Sequence, residues 1–190
     1  MRATLCSRNA HKARELEALL PGWTIVPLVR DDYPPETGAT YYENARLKAE
    51  FGRTHSGGWV LAEDSGLEVD GLGGRPGVHS ARYAAEGAPA IAKLLAELGN
   101  ADVRTARYVS ELVLVAPDGG ELRGIGTLDG RIAREPRGSE GFGYDPVFVP
   151  AGEERTVAEL GNGWKALNSH RARAAQALLR ALAGAHATTS

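Results

Sequence analysis

The chain has 190 residues, of which 43% are hydrophobic and 24% are charged, and its formal net charge at pH 7 is −2. This length and composition suit a single globular domain with a sizeable core. The near-neutral charge argues against nucleic-acid or membrane-surface binding, because both favour a basic excess. No apolar run approaches the roughly 20 residues that a transmembrane helix needs. The first residues lack the apolar region of a secretory signal. We therefore expect a cytoplasmic protein.

The only cysteine of the sequence, Cys6, cannot form an internal disulfide, which fits a reducing compartment. It lies in an apolar, strand-like run. A buried, inert thiol is therefore favoured over a nucleophile.

The first third of the chain alternates strand-like and helix-like patterns. The predicted elements are strands around Leu5 and over residues 25–29 and 59–62, helices over 10–20 and 41–51, and a loop over 31–40. Pro27 within the second strand indicates an edge position, because proline cannot donate to a central ladder.

The rest of the chain adds a hairpin to this alternation. The predicted elements are a helix over 89–98, strands over 112–116, 121–128 and 146–150, and a last helix capped by Ser169. A turn at 117–120 joins two of these strands into a hairpin. The sequence therefore predicts one α/β domain over residues 1–190, with a mixed sheet flanked by helices.

The segment from Trp59 to Tyr83 is the most informative part of the chain. A short apolar run ends in two carboxylates, Glu63 and Asp64, and five glycines and a proline follow between Gly66 and Gly77. A buried strand that delivers acids to a sheet edge can bring Mg²⁺ and phosphate together. The glycines indicate a backbone that turns tightly or approaches another group closely.

Two further groups near the N-terminus carry chemistry. At a strand-to-helix turn, Ser7, Asn9 and Lys12 offer donors and a positive charge to an anion, although an ordinary helix cap explains this turn at least as well. Glu43 complements the dipole of the helix it begins. Together with the acids at 63 and 64, it also supplies a carboxylate of the kind that Mg²⁺ prefers.

Two groups near the C-terminus have equally open interpretations. Phe142 and Tyr144 are separated by glycine and can stack on a planar ring, or they can be core aromatics on a turn. Lys165, His170 and Arg171 offer hydrogen-bond donors to phosphate or a keto oxygen. A solvated basic helix start is the alternative. Cations, acids and aromatics together are what a nucleoside triphosphate site requires.

Six motifs occur in a specific order from Leu5 to about Leu182. They are Ser7-x-Asn9-x-x-Lys12, Tyr42-Glu43-Asn44-Ala45 followed by Lys48-Ala49, Glu63-Asp64-Ser65-Gly66-Leu67-x-Val69-Asp70, Gly74-x-Pro76-Gly77-Val78-x-Ser80-Ala81-Arg82-Tyr83, Gly141-Phe142-Gly143-Tyr144-Asp145-Pro146 and Ser169-His170-Arg171. In these motifs the chain resembles the inosine triphosphate pyrophosphatase family, the pyrophosphatases of non-canonical purine nucleoside triphosphates.

The resemblance implies an elongated α/β fold, usually homodimeric, with a nucleotide cleft between two lobes. It implies Mg²⁺-dependent hydrolysis of ITP, dITP and XTP to the monophosphate and pyrophosphate, which cleans the nucleotide pool. Asp64 would be the proton acceptor and a metal ligand, and Glu43 the second metal ligand. The residues implied to bind substrate, largely its phosphates, are Ser7, Arg8, Asn9, Ala10, His11, Lys12, Ser65 and Lys165. Those implied to hold the base are Phe142, Gly143, Tyr144, Asp145, His170 and Arg171.

Two alternatives stay open at this point. One is a pyrophosphatase of the septum-formation inhibitor (Maf) type, which acts on modified pyrimidine nucleotides with a related fold. The other is a nucleotide-binding protein without turnover. The aromatic loop around Phe142 favours the purine enzyme over the first, and the acids Glu43 and Asp64 argue against the second.

Overall fold

The computed structural model describes residues 1–7, 10–85 and 87–187, with the side chains of residues 10, 11, 186 and 187 excepted. None of the helices in these ranges is long and apolar enough to cross a membrane.

Strands and helices alternate along the chain. The strands are β1 (Arg2–Cys6), β2 (Thr24–Pro27), β3 (Trp59–Val69), β4 (Pro76–Gly77), β5 (Thr105–Val115), β6 (Glu121–Ile132) and β7 (Phe148–Pro150). The helices are α1 (Ala10–Leu19), α2 (Tyr41–Arg53), α3 (Ala88–Leu98), α4 (Val157–Asn168) and α5 (His170–Ala187).

The sheet has the strand order β2-β1-β3-β5-β6-β7, and β4 pairs with β3. Strand β1 is parallel to β2 and β3, whereas β4 is antiparallel to β3 and β7 is antiparallel to β6. This mixed sheet with its helices confirms the predicted α/β class. Strand β2 ends the sheet order, as Pro27 indicated.

The chain forms two compact units. Unit 1 contains Met1–Asp64, Ser110–Gly126 and Arg171–Ser190, and unit 2 contains Ser65–Val109 and Thr127–His170. The interpretation of these units as two lobes of a single domain stays a prediction.

In unit 1, alternate side chains of β3 belong to different cores. Leu61 packs in a cluster with Leu16 of α1 and Leu178 of α5. Val60 and Ala62 pack in another cluster, with Ala45 and Ala49 of α2. Successive residues of a strand point to opposite faces of the sheet. One face of β3 is therefore covered by α1 and α5, and the other by α2.

Unit 2 has its own apolar core. It combines side chains of β3, α3, β5 and β7 with the loop before β7, namely Leu67, Val69, Ile91, Leu94, Leu98, Tyr108, Tyr144, Val147 and Phe148. The helix predicted over 89–98 is α3, on which Ile91, Leu94 and Leu98 form a buried stripe.

The structure corrects the end of the third strand. Residues 63 and 64 do not end it, because β3 continues to Val69. The buried side chains of Leu67 and Val69 and the pairing of Leu67 with Gly77 extend the ladder. The acids therefore lie inside a strand. The glycine-rich stretch does turn tightly, since Gly73, Gly74 and Gly77 all have positive φ.

Helix α4 is absent from the predicted elements. Its start carries a capping box, in which Thr156 accepts from the amide of Glu159 and the carboxylate of Glu159 accepts from the amide of Thr156. The spacing Thr-x-x-Glu is the sequence signal for such a start. Gly161 has a φ of 86° and interrupts the helix, which obscures the pattern. Strand β5 also begins earlier than predicted, at Thr105.

Candidate active site

The two neighbouring acids of β3 have different partners. Leu61 and Glu63 share a strand face, as do Ala62 and Asp64. Glu63 accordingly interacts with Lys12 of α1 and Arg171 of α5, whereas Asp64 interacts with residues of α2. Alternation along one strand thus gives each carboxylate its own surroundings.

Asp64 is buried and held by two donors. Lys48 Nζ lies 2.8 Å from its Oδ1, and Asn44 Nδ2 lies 3.3 Å from its Oδ2. Lys48 and Asn44 lie one helical turn apart on α2 and so face the strand together. The same Lys48 Nζ also donates to Glu36 Oε1 at 2.7 Å. One ammonium group therefore bridges two carboxylates.

The charges in this cluster act on one another. Burial raises the pKa of Asp64, and Lys48 opposes that shift. Burial by itself would lower the pKa of Lys48, but Asp64 and Glu36 together raise it above its ordinary value. Burial thus places the pKa of Asp64 above that of an ordinary aspartate, and the ammonium of Lys48 favours its ionised form, which is the form a general base needs.

Glu36 is an acid of the candidate site that the sequence interpretation did not name. It lies in the loop before α2, whose path is fixed because the amide of Gly38 donates to Asn44 Oδ1 at 2.8 Å. Asn44 thus fixes both the loop and Asp64. Glu43, the predicted second metal ligand, is exposed. Its Oε2 accepts hydrogen bonds from the backbone amides of Ala39 at 2.6 Å and Thr40 at 3.1 Å.

Glu63, which is itself buried, is the centre of a second cluster. Its Oε1 accepts from Arg171 Nε and from the hydroxyl of Ser110, each at 2.8 Å. Its Oε2 lies 3.5 Å from Lys12 Nζ. Arg171 also donates to Glu15 of α1. Burial lowers the pKa of Lys12, and Glu63 opposes this.

In unit 2, the buried carboxylate of Asp145 is the centre of a third cluster. Lys165 Nζ donates to its Oδ2 at 2.7 Å, and the amide of Phe142 donates to the same oxygen at 2.9 Å. The Nζ of Lys165 also lies 3.7 Å from the centre of the Phe142 ring. Gly141 and Gly143 both have positive φ, which lets the loop curl around the carboxylate.

The two aromatics of the loop at 141–146 differ in exposure. Tyr144 is buried in the core of unit 2, its hydroxyl donates to the carbonyl of Ser80 at 3.2 Å, and burial raises its pKa to about 12. Phe142 is half-buried. Of the two rings, Phe142 is therefore the one exposed enough to stack on a planar ligand.

The remaining predicted residues are placed as follows. Ser7 follows β1 and is half-buried, as is Ser65 on β3. His170 is buried at the start of α5, and its ring lies nearly parallel to that of Tyr108, with 4.6 Å between the centroids. Arg8 and Asn9 lie outside the described residues, as do the side chains of Ala10 and His11.

The predicted site residues thus fall into separate groups. Unit 1 brings Asp64, Lys48 and Glu36 together, and places Lys12 with Glu63 and Arg171. Unit 2 brings Phe142, Asp145 and Lys165 together. The resemblance implies that Lys165 binds phosphates, which stays a prediction; its contacts in the structure are with Asp145 and Phe142, two residues implied to hold the base.

The carboxylates of Asp64 and Glu36 are oxygen ligands of the kind that a divalent cation such as Mg²⁺ prefers. In the described ranges no cluster of three or more His, Cys, Asp or Glu side chains suited to a metal occurs. Mg²⁺ needs no such cluster, because one or two carboxylates, waters and substrate phosphates suffice. Glu36 and Asp64 already converge on a positive charge, the ammonium of Lys48.

The thiol of Cys6 is buried, and burial raises its pKa to about 12. This confirms the prediction that Cys6 is a buried residue.

Comparison with known proteins agrees with the motifs. A model of the Ham1 family matches residues 3–181. A protein of Exiguobacterium sibiricum named dITP/XTP pyrophosphatase is 44% identical over 96% of this chain and 97% of its own length. A protein of the same name from Methylococcus capsulatus is 47% identical over 95% of this chain and 96% of its own.

Solved structures give the same result. The Ham1 protein of Staphylococcus aureus has a TM-score of 0.86 and 37% identity over 97% of this chain and all of that one. A structure from Mycobacterium abscessus, described as a nucleoside-triphosphatase or dITP/XTP pyrophosphatase, has a TM-score of 0.75 and 42% identity over 96% of this chain and all of that one. The chain belongs to the Ham1 family. The resemblance carried by the six motifs is confirmed.

Proposed function

We propose that this protein hydrolyses non-canonical purine nucleoside triphosphates (ITP, dITP and XTP) to the monophosphate and pyrophosphate. Water attacks the α-phosphorus, the bond between that phosphorus and the bridging oxygen to the β-phosphorus breaks, and pyrophosphate leaves. Such a reaction would remove damaged purines from the nucleotide pool.

The observation that carries the proposal is the buried Asp64, held by Lys48 and Asn44, with Glu36 bound to the same lysine. The relatives named dITP/XTP pyrophosphatase match the chain over nearly its whole length, which agrees with it.

Asp64 would take the proton of the attacking water. Its raised pKa, caused by burial, makes it a stronger base than an exposed aspartate, and the charge of Lys48 favours its ionised form. A carboxylate of this kind typically contributes on the order of 10²–10⁴ in rate as a general base.

Asp64 and a second carboxylate would hold Mg²⁺. The contact that Glu36 and Asp64 share through Lys48 supports Glu36 as the second ligand. The resemblance implies that Glu43 is the second ligand. In the structure, the carboxylate of Glu43 accepts a hydrogen bond from the backbone amide of Thr40 in the capping box of α2. When bound, Mg²⁺ would neutralise phosphate charge and stabilise the leaving pyrophosphate.

The cations of unit 1 would bind the phosphates. The side chain of Lys12 is 15% exposed. Lys12 lies in the first turn of α1 and is part of the predicted anion-binding turn. A helix start and an ammonium group both favour a bound anion. The roles of Ser7, Arg8, Asn9, Ala10, His11 and Ser65 toward the phosphates are part of the same proposal.

The group of unit 2 would hold the base. Phe142 would stack on the purine, and Asp145 and Lys165 would meet its polar edge. Hypoxanthine and xanthine carry a keto oxygen at C6, where adenine carries an amino group. A donor from His170 would match the oxygen and oppose the amino group, and such mismatches cost on the order of several kcal/mol when desolvated. Arg171, which the resemblance also implies to hold the base, is buried in unit 1 against Glu63 and Glu15.

A homodimer and a cytoplasmic location complete the proposal. Both follow from the family resemblance and the composition, and the lone buried Cys6 is compatible with a reducing compartment.

The proposal is tested by measuring pyrophosphate release from ITP, dITP, XTP, GTP, ATP, dTTP and UTP in the presence of Mg²⁺. We expect the first three to be the best substrates. The variant Asp64→Asn should still bind dITP and lose at least about 99% of turnover. Faster hydrolysis of the pyrimidine nucleotides would favour the Maf-type alternative. Absence of pyrophosphate from every nucleotide would favour a binding protein.

A further inference from the structure

Tyr108 touches two of the residues assigned to the base. It lies on β5 and is buried in the core of unit 2. Its hydroxyl lies 3.3 Å from Oδ1 of Asp145. Its ring and that of His170 are 4.6 Å apart at their centroids, with an angle of 14° between their planes. One side chain thus contacts both a carboxylate and an imidazole of the proposed base group.

The hydroxyl of Tyr108 complements the other donors to Asp145. Lys165 and the amide of Phe142 both donate to Oδ2, whereas Tyr108 donates to Oδ1. Donors to both oxygens fix the plane of a carboxylate more firmly than donors to one. The orientation of Asp145 also affects the position of Phe142, because the carboxylate accepts a hydrogen bond from the backbone amide of Phe142.

The ring of Tyr108 is itself fixed. The ring of Phe148 on β7 lies 4.4 Å from it, tilted by 39°, and is fully buried. A ring held this way restricts the imidazole of His170 that lies flat against it. The plane in which the imidazole of His170 lies is therefore restricted by this contact.

From these contacts we propose that Tyr108 is a positioning residue for base selection. It holds Asp145 and His170 in the orientation in which they meet the purine. The inference rests on the proposed function, in which those two residues contact the base. Tyr108 itself need not touch the substrate.

The test is Tyr108→Phe, which removes the hydroxyl and keeps the ring and its stacking. We expect KM for dITP to rise on the order of tenfold, because the bond lost is to a charged group. We expect kcat to change by less than about twofold, since a base contact made equally in the ground and transition states affects KM alone. Selectivity for dITP over dATP in kcat/KM should fall.

Tyr42→Phe is the matched control. The hydroxyl of Tyr42 also donates to a carboxylate, that of Glu121 at 2.8 Å, but it lies in unit 1 and takes no part in base binding. Its KM, kcat and selectivity should equal those of the wild type. A urea denaturation of both variants shows whether each is folded under the assay conditions.

A double-mutant cycle with Asp145→Asn separates positioning from packing. If Tyr108 acts through Asp145, then Tyr108→Phe should change KM much less in the Asp145→Asn background than in the wild type. Equal effects in both backgrounds, or an unchanged KM in the single variant, would overturn the inference. If Asp145→Asn and His170→Ala both leave KM and selectivity unchanged, the assignment of the base group fails instead.

Discussion

Lys48 donates to Asp64 across 2.8 Å, and both side chains are buried. The position of this pair follows from two local geometries, the alternation along β3 and the spacing of one turn on α2. Its consequence is electrostatic. Burial raises the pKa of Asp64, and the ammonium group beside it lowers that pKa.

Replacing Lys48 with methionine should shift the pH dependence of the reaction. Without the cation, the pKa of Asp64 rises further, so the base is protonated over a wider range. The acidic limb of kcat/KM should move to higher pH, and activity should be recovered only as pH rises. The measurement is kcat/KM for dITP from about pH 5 to about pH 9 at saturating Mg²⁺. Lys93→Met, at an exposed lysine paired with Glu97, is the control. An acidic limb that stays in place would remove Lys48 from this role.

The two candidates for the second metal ligand, Glu36 and Glu43, lead to opposite predictions for the Mg²⁺ requirement. If Glu36 is the second ligand, Glu36→Gln should raise the Mg²⁺ concentration needed for half-maximal rate by about 10–100-fold. Glu43→Gln should change the metal requirement little and should lower stability by up to about 1 kcal/mol, because the capping box is weakened. Mg²⁺ titrations of the rate and urea denaturation of both variants decide between the two. The reverse pattern would establish Glu43 as the ligand.

The sequence predicted local features well because they depend on neighbouring residues. The stripe of α3, the edge position of Pro27 and the turns at Gly73 and Gly77 all follow from such rules. Glu36 was missed because it lies in a loop, and the sequence pattern does not show the contact through Lys48 that links it to Asp64.

Two other differences between the sequence prediction and the structure have a similar origin. The strand through residues 63 and 64 was ended too early because acids are unusual inside a buried strand. They are tolerated here since Lys48 and Arg171 compensate their charges. The two side chains that donate to Asp145, Tyr108 and Lys165, come from β5 and α4, far away in sequence, so no local pattern could have assigned Tyr108 to this group.

The buried pair of Glu63 and Arg171 should be important for stability. Arg171 is 1% exposed, so Glu63→Ala removes a partner from a charge that water cannot reach. We expect the free energy of unfolding to fall by about 3–5 kcal/mol. Glu50→Ala breaks the exposed pair with Arg46 on α2 and should cost far less, because water screens the two charges. Urea denaturation near neutral pH measures both. Similar losses in the two variants would mean that burial of the pair does not determine its contribution.

Replacing either of two helical glycines with alanine should change the free energy of unfolding, with opposite signs at the two positions. Alanine favours an exposed helix by about 0.5–1 kcal/mol relative to glycine. At Gly184 of α5 an added Cβ meets no atom within 4 Å, so Gly184→Ala should stabilise the protein by about that amount. At Gly52 of α2 the added Cβ would lie 2.1 Å from Cys6 Sγ and 2.7 Å from Val60 Cγ1.

Because Cys6 and Val60 belong to strands of the buried sheet, neither can move freely. The overpacking at Gly52 should cost about 1–3 kcal/mol and outweigh the gain in helix propensity. Thermal and urea denaturation of Gly52→Ala and Gly184→Ala should therefore shift in opposite directions. A gain in stability from Gly52→Ala would show that α2 can move away from the sheet. In that case Lys48 and Asn44, on the same helix, could not hold Asp64 in a fixed position.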